Sequence, residues 1–376
     1  MSNRVPAEVF PPGEFIRDEL EERGWSQIDL AEIIGRAPRL VSEVINGKRG
    51  ITPETALALG KAFGTSAQLW LNLESTYRLS LVKEYDEKSI SRKARLYSYP
   101  IREMTKRGWI DGSTNLDVLE HQLVRLFRVD SIEERPKLSH AARKTNGESL
   151  SNVQLAWLFR VYQLAEAMDS PPYSSKALKD AVNKLRTLLH APEEVREVPR
   201  ILASAGVRYL AVESLPGAKF DGVCFWLDRT PVIAMALRFD RIDNFWFVLR
   251  HEIEHVFRRH GEMLDIDLVG DRASPDSTEI PKQEREANKA AAEFCVPSEE
   301  LEDFIARVGP LYSTENIINF AERIGVHPGL VVGQLHTRGE LPFSHLRRIL
   351  VKVRHLITET AFTDGWGSAP QVALPY

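Results

Sequence analysis

The sequence contains very little cysteine: Cys224 and Cys295 are the only two in 376 residues. Two cysteines are too few for a disulfide framework or a cysteine-rich zinc site, which leaves histidine and carboxylate side chains as metal ligands. No apolar run approaches the roughly 18 residues needed to span a bilayer, and the first residues lack the apolar core of a secretory signal. We therefore expect a cytoplasmic protein with no membrane partner.

An overall excess of positive charge is also absent, because the formal net charge is −4. The charge is nevertheless uneven along the chain. Between residues 36 and 49, one acidic residue, Glu43, is accompanied by four basic residues: Arg36, Arg39, Lys48 and Arg49. A local cluster of this kind is typical of a surface that contacts nucleic acid, and total charge does not reveal it.

The same region has the pattern of a small helical bundle. From Pro12 to about Ser80 the sequence predicts five short helices, separated by glycines such as Gly24 and Gly35 and opened by capping residues such as Ser26. Two short helices joined by a glycine-containing turn form a helix-turn-helix, whose second helix enters the major groove of DNA. Here that second helix is predicted at about Pro38 to Asn46.

Three segments, Gly24 to Gln27, Val41 to Ala56 and Gly64 to Leu73, closely resemble the XRE helix-turn-helix of HigA-type antitoxins. The resemblance defines a domain at residues 10–80 and implies a double-stranded DNA operator as partner. Carried over by position, it implies base contacts from Pro38, Arg39 and Ser42, and phosphate contacts from Gln27, Asn46, Lys48 and Arg49. Ala37, Pro38 and Leu40 replace the small hydroxyl residues usual there, so the base preference is not inherited.

The region from 81 to 200 has a helical character without a recognisable motif. Amphipathic stretches at about 116–127, 152–168 and 176–189 predict helices, and we interpret residues 81–200 as a helical connector. After residue 201, short β-rich runs at 207–212, 222–227 and 232–236 predict a small antiparallel sheet. The fold class expected for the chain is α+β, predominantly α.

A long helix follows these strands and carries the sequence Arg-His-Glu-Ile-Glu-His-Val-Phe at 250–257. Its histidines, His251 and His255, are four residues apart, so a helix places both imidazoles on one face, where they can share a metal ion. Glu252 is placed to accept a proton from a metal-bound water. The helix is supported by an apolar stripe at Ile242, Phe245, Leu249, Ile253 and Val256.

A hydrolytic zinc site needs a third protein ligand and one open position. A third histidine at position 261 is excluded because that residue is Gly261. A second predicted helix downstream offers Glu284 or Glu286, and these point about 200° apart around the helix, so only one of them can serve. Asn288 shares the face of Glu284 and could steady a ligand. The expected cofactor is therefore Zn²⁺ held by His251, His255 and Glu284.

A hydrolase also needs a donor for the developing oxyanion. The sequence does not choose among four candidates: Tyr312, His327, His336 and Arg338.

The region from Ala205 to Gly339 resembles the ImmA/IrrE family of metallopeptidase-like proteins. The matching residues are Phe220-Asp221-Gly222, Asp243 to Phe247, the histidine motif, Glu284 to Pro297, and Val326 to Gly329. The resemblance implies a zincin-like (gluzincin) domain at 201–345. Beyond it, an amphipathic run at 346–356 predicts a final helix within a C-terminal helix and tail at 346–376. It further implies a zinc-dependent endopeptidase that regulates genes by cleaving a repressor or partner protein.

Three functions are compatible with these patterns. The first is a DNA-binding regulator that cleaves a repressor; the second is a non-enzymatic antitoxin or autorepressor that binds DNA and a toxin, with the zinc domain as scaffold. The third is a sensor whose zinc occupancy alters its affinity for DNA. Because helix-turn-helix proteins usually meet DNA as dimers on inverted half-sites, we expect a homodimer.

Overall fold

The computed structural model describes residues 9–81, 87–134, 136, 143–144, 150–259, 263–265 and 282–364. Contacts between Cα atoms divide the chain into two compact units, Met1–Ser91 and Arg92–Tyr376. The stretch at 261–281, which the sequence predicts to be a polar, acidic loop, lies outside the described residues except for 263–265, as does the tail beyond 364. Among the helices that are described, none is long and apolar enough to cross a bilayer.

The first unit is the predicted helical bundle. Its helices are α1 Pro12–Arg23, α2 Gln27–Ile33, α3 Pro38–Ile45, α4 Pro53–Phe63 and α5 Ala67–Ser80. The local signals act as expected: Ser26 forms a capping box with Asp29 at the start of α2, and Gly24 ends α1 in the left-handed conformation. The core is apolar, with buried side chains that include Ile16, Leu30, Val41, Ile45, Leu59, Phe63 and Trp70.

Helices α1 and α3 are in direct backbone contact. A Cβ atom at Gly13 would lie 2.0 Å from the carbonyl oxygen of Ile45, so only glycine permits this approach. Arg17 on α1 donates to the same carbonyl at 3.1 Å. These contacts fix the end of α3 and therefore the direction of its outer face.

A further helix, α6 Glu87–Leu96, crosses the division between the units. The other helices of the second unit are α7 Ile101–Lys106, α8 Leu116–Phe127, α9 Asn152–Glu166, α10 Ser175–Arg186, α11 Val198–Ser204, α12 Ile242–Arg258, α13 Lys282–Cys295, α14 Ser298–Val308, α15 Thr314–Ile324, α16 Pro328–Thr337 and α17 Arg354–Thr358. Short 3₁₀ helices lie at Pro192–Glu197 and Arg347–Ile349.

The strands of the second unit form one mixed sheet in the order β1-β5-β3-β4-β2-β6. They are β1 Arg143–Lys144, β2 Arg208–Ala211, β3 Gly222–Leu227, β4 Thr230–Met235, β5 Met263–Asp265 and β6 Phe362–Thr363. The hairpin β3–β4 is antiparallel, as predicted, but β2 pairs with β4 in parallel. The small sheet predicted as antiparallel is thus mixed, because β2 pairs with β4 and not with β3, its neighbour in sequence.

Successive side chains along each strand point to opposite faces of the sheet, so the buried ones are divided between two hydrophobic cores. Tyr209 and Ile233 face one core with α12 and α16, whereas Leu210 and Val232 face the other with α8 and α9. This two-residue period is the normal consequence of strand geometry. The sheet is therefore covered by helices on both faces.

The region predicted as a connector contributes to both of these cores. Trp157 on α9 is fully buried and packs against Phe220 with ring centroids 4.2 Å apart. Leu178 and Leu185 on α10 are buried in the opposite core with residues of α12. The described helices that follow residue 91 in this region therefore pack within the compact second unit. The amphipathic pattern located the helices without showing what they cover.

The C-terminal segment also returns to the sheet. The predicted helix at 346–356 is a 3₁₀ turn followed by the short α17, and β6 then pairs in parallel with β2. The last described residue, Asp364, is buried and accepts hydrogen bonds from Arg160 at 2.5 and 2.9 Å and from the indole of Trp109. This buried ion pair links Asp364, the residue that follows β6, to α9.

Candidate functional site

Helix α12 presents the two predicted histidines to the interior of the second unit. His251 and His255 are 0% and 1% exposed, and their Nε2 atoms lie 2.9 Å apart. The helix is held by buried apolar residues on its other side, including Phe245, Leu249 and Ile253. Its spacing of four therefore directs the same nitrogen of each ring to one point.

Glu284 on α13 completes this cluster. Its carboxylate oxygens lie 3.2 Å from Nε2 of His251 and 3.5 Å from Nε2 of His255. Glu286 faces another direction: it is 2.7 Å from Arg258 and 3.9 Å from Lys282. Of the two glutamates, Glu284 faces the histidines.

The arrangement fits a zinc ion. One ligand atom from each of His251, His255 and Glu284 lies within 4.8 Å of the others. Tetrahedral zinc, with bonds of about 2.0–2.2 Å, requires ligand atoms that are about 3.3 Å apart, close to the separations observed here. Two imidazoles and one carboxylate are also a donor set found in catalytic zinc sites that keep one position open.

Glu252 lies beside this cluster under the first residue of β3. The side chain is 0% exposed, and a Cβ atom at Gly222 would lie 2.2 Å from its Oε1 atom. Gly222 therefore allows the strand to pass directly over the carboxylate. The sequence marks Gly222 only as one residue of a family motif, because its contact with Glu252 depends on the packing of β3 against α12.

Helices α12 and α13 are held together by small residues and by charge. Ala287 and Ala291 are buried at the contact, and Arg258 bridges from α12 to Glu286. Glu254 accepts hydrogen bonds from Arg250 and Arg258 at 2.8 and 2.7 Å. Burial would raise the pKa of Glu254, but these guanidinium groups outweigh that effect and hold its pKa below the usual value. The packing of the two alanines against α12 sets the rotation of α13 and so the direction of Glu284, and the partly exposed Arg258–Glu286 pair lies outside this contact.

Asn288 follows Glu284 by one helical turn, as predicted, and its Oδ1 atom is buried without a hydrogen-bond partner among the described residues.

Three of the four candidate donors to the oxyanion have structural contacts of their own. Burial, together with the hydrogen bond that its hydroxyl donates to Glu340, raises the pKa of Tyr312 to about 12. His327 caps α16 by accepting from the Gly329 amide, and Nε2 of His336 faces the carbonyl of His345 at 2.9 Å.

Of the predicted DNA-contacting residues, Gln27 opens α2, and the others lie on α3 or in the turn that follows it. Gln27, Pro38, Arg39, Asn46, Lys48 and Arg49 are exposed, and Ser42 is half-buried. Asn46 is held at the end of α3 by its hydrogen bond to the Ser42 carbonyl at 2.8 Å. The outer face of α3 and the turn that follows it are therefore polar and accessible to solvent, and Lys48 and Arg49 give this surface a cationic excess.

Glu43, which is acidic, forms ion pairs with two of the arginines on this face. Its two carboxylate oxygens accept from Arg39 at 2.9 Å and from Arg49 at 3.0 Å. Hydrogen bonds from these two arginines hold the pKa of Glu43 below its usual value, so it remains an anion. Two of the predicted DNA-contacting arginines are thus already paired in the protein alone.

Two protein families match separate parts of the chain. A helix-turn-helix family matches residues 16–70, and a family described as the IrrE N-terminal-like domain matches residues 208–336. Among curated proteins, the chain is 40% identical over 90 residues to virulence-associated protein I of Dichelobacter nodosus, covering 24% of this chain and 81% of that protein. It is 36% identical over 69 residues to the uncharacterised HTH-type transcriptional regulator YddM of Escherichia coli, covering 18% of this chain and 73% of that protein.

Solved structures with sequence similarity include the Pseudomonas aeruginosa antitoxin HigA with the higBA promoter. It is 37% identical, with a TM-score of 0.21, and the match covers 22% of this chain and 91% of that chain. An addiction module antidote protein of a HigA family from Coxiella burnetii is 34% identical, with a TM-score of 0.21 and coverage of 22% and 91%. Taken with the two family matches, the curated relatives show that the chain belongs to the XRE-type helix-turn-helix DNA-binding regulators and carries, after that domain, an ImmA/IrrE-family peptidase domain.

Proposed function

We propose that this regulator is also a zinc-dependent endopeptidase, which hydrolyses a peptide bond in a repressor or another partner protein. The observation that carries the proposal is the convergence of His251, His255 and Glu284 beside the buried carboxylate of Glu252. A structural zinc site usually fills all four positions with protein ligands, whereas three ligands with an adjacent glutamate suit hydrolysis.

The residues have separate tasks in this proposal. His251, His255 and Glu284 would hold Zn²⁺, which when bound lowers the pKa of a coordinated water. Glu252 would accept a proton from that water and pass it to the leaving amine. Gly222 leaves space for the Glu252 carboxylate, and the buried position of Glu252 keeps bulk solvent from competing for its hydrogen bonds.

The test of hydrolysis is Glu252→Gln, which keeps the shape of the side chain but cannot accept the proton. We expect zinc content to be unchanged and cleavage to fall by about 100-fold or more, the usual contribution of a general base. Because the substrate is unidentified, the readout is mass spectrometry of new protein N-termini in cells that express each form. Glu299→Gln on the exposed surface of α14 is the matched control.

New N-termini that appear equally with wild type and Glu252→Gln would contradict the catalytic role. Their absence with wild type, with DNA binding retained, would instead support the non-enzymatic antitoxin or autorepressor.

For the first unit, we propose that α3 enters the major groove of an operator. Pro38, Arg39 and Ser42 would face base edges, while Gln27, Asn46, Lys48 and Arg49 would hold phosphates. Their exposure around α3 supports this assignment. A homodimer on inverted half-sites would place two such helices one DNA turn apart.

Salt dependence tests the phosphate contacts without knowledge of the operator. We expect Lys48→Ala to weaken binding to any duplex and to reduce the slope of log K against log salt by about 1, because one phosphate contact is lost. The measurement is fluorescence anisotropy with a labelled duplex at several salt concentrations. Lys61→Ala, an exposed lysine on α4, should leave the slope unchanged. Equal slopes for Lys48→Ala and wild type would exclude this contact.

A further inference from the structure

We infer that Glu43 is a specificity-determining residue of the DNA-binding surface, which positions Arg39 for a guanine base in the major groove. The inference rests on the proposed entry of α3 into that groove. Glu43 is the one acidic residue between positions 36 and 49, among four basic residues. A carboxylate on a surface that meets phosphates weakens binding to DNA of every sequence. Its presence there therefore needs a compensating role, which its contacts supply.

The carboxylate of Glu43 lies beneath two guanidinium groups. Its Oε1 atom accepts from Nε of Arg39 at 2.9 Å, and its Oε2 atom accepts from Nε of Arg49 at 3.0 Å. The Glu43 side chain is 24% exposed, whereas those of Arg39 and Arg49 are 89% and 54% exposed. A DNA duplex that approaches α3 would thus meet the arginines before it meets the carboxylate.

Both hydrogen bonds leave the outer end of the guanidinium groups available. They use Nε, and within the described part of the chain neither arginine side chain has another hydrogen bond or ion pair. The two terminal nitrogens form the fork through which arginine binds paired acceptors. Guanine presents such a pair, N7 and O6, in the major groove, whereas adenine presents one acceptor and one donor. Arg39, which lies on α3 itself, is therefore matched to guanine.

Glu43 also holds the turn that follows α3 through its backbone. Its carbonyl oxygen accepts from the amides of Lys48 at 2.9 Å and Arg49 at 3.1 Å. Glu43 thus fixes Arg49 at both its backbone and its side chain. Because Lys48 and Arg49 are the proposed phosphate contacts, one residue sets the distance between the group that reads a base and the groups that hold the DNA backbone. Replacing the side chain alone leaves the carbonyl in place and so preserves the turn.

The two effects of Glu43 on DNA binding have opposite signs. Its charge lowers the affinity for every duplex by a similar factor. Its hydrogen bond to Arg39 removes rotamer freedom that the arginine would otherwise lose when it binds a guanine. This gain is realised only where the fork finds its two acceptors. Glu43 therefore widens the difference in affinity between the operator and other DNA, which is the quantity that defines specificity.

The experiment first selects duplexes from a random library with the full chain, and then measures binding to the selected duplex and to a shuffled one by fluorescence anisotropy. We expect Glu43→Gln to bind the shuffled duplex several-fold more tightly, because one negative charge is lost. Binding to the selected duplex should not tighten. The ratio of the two dissociation constants should therefore fall by about 10-fold, within the usual effect of one paired contact with a base.

A modified base tests the guanine directly. An analogue of guanine with carbon in place of N7 lacks one of the two acceptors, and at one guanine of the selected site it should weaken wild-type binding by about 10-fold. Arg39→Ala should bind the modified and unmodified duplexes alike. Adding Glu43→Gln to Arg39→Ala should leave the ratio of selected to shuffled affinity unchanged, because Glu43 acts through Arg39. A purely structural role of Glu43 would not disappear in this way.

Glu22→Gln is the matched control, because it removes the same charge from an exposed position on α1, and its ratio should equal that of wild type. Partly exposed ion pairs add little stability, so Glu43→Gln should unfold at close to the wild-type temperature. An unchanged ratio in Glu43→Gln, or wild-type binding that tolerates the analogue at every guanine, would overturn the role of Glu43. If Lys48→Ala still lowers the salt slope in that case, the proposed entry of α3 stands. A wild-type chain that selects no sequence would overturn both.

Discussion

Glu284→Ala should lose zinc, whereas Glu286→Ala should retain it. Glu284 is 3% exposed and lies 3.2 Å from His251, while Glu286 is 33% exposed and paired with Arg258. Replacing a residue that only supports a metal ligand typically costs 10–100-fold in affinity, so removing a ligand should cost about 100-fold or more. The measurement is competition for zinc with a chromophoric chelator, together with the zinc content of the purified proteins.

The two substitutions remove the same group two residues apart on one helix, so each controls for the other. Glu286→Ala should have a small effect on thermal stability, because partly exposed ion pairs contribute about 0–1 kcal/mol. Equal zinc affinity in wild type and Glu284→Ala would exclude the proposed ligand set. Loss of zinc in Glu286→Ala alone would assign the third ligand to the other glutamate.

Asp364→Ala should lower the free energy of unfolding of the second unit by about 3–5 kcal/mol, the cost of leaving a buried charge without its partner. Arg160 and the Asp364 side chain are both about 5% exposed, and Trp109 donates to the same carboxylate. The substitution therefore strands a guanidinium and an indole N–H in the interior. Urea denaturation followed by far-ultraviolet circular dichroism measures this change.

The double variant Arg160→Leu, Asp364→Leu tests whether the unpaired charge of Arg160 causes the loss of stability in Asp364→Ala. If the stranded charge is responsible, the double variant should be closer to wild type than Asp364→Ala, because an apolar replacement of both partners leaves no buried charge. A double variant less stable than Asp364→Ala would show instead that the pair itself, with its hydrogen bonds, supplies the stability.

The features that could be predicted from sequence were those set by local geometry. The helix with His251 and His255 and the caps and glycines of the first unit depend on residues within one or two turns. Which of Glu284 and Glu286 faces the histidines depends on the rotation of α13. The packing of the buried alanines of α13 against α12 sets that rotation. Periodicity on one helix does not contain this information.

Long-range pairing accounts for the remaining differences. The pattern of β2, β3 and β4 showed strands but not that β2 would pair with β4 in parallel. The amphipathic helices of residues 92–200 were visible as helices, while the sheet faces that they cover were not. The pairing of Glu43 with Arg39 and Arg49 was hidden for another reason: counting charges does not show which of them meet.

The pairing of β6 with β2 also determines the order in which the chain can fold during synthesis. The helices of the first unit form one compact unit within residues 1–91, whereas the sheet lacks β6 and the Asp364 ion pair until residue 364 has been made. At roughly 5–20 residues per second, the intervening synthesis takes on the order of tens of seconds. A nascent chain can therefore present a folded helix-turn-helix well before its candidate metal centre is supported by a complete sheet.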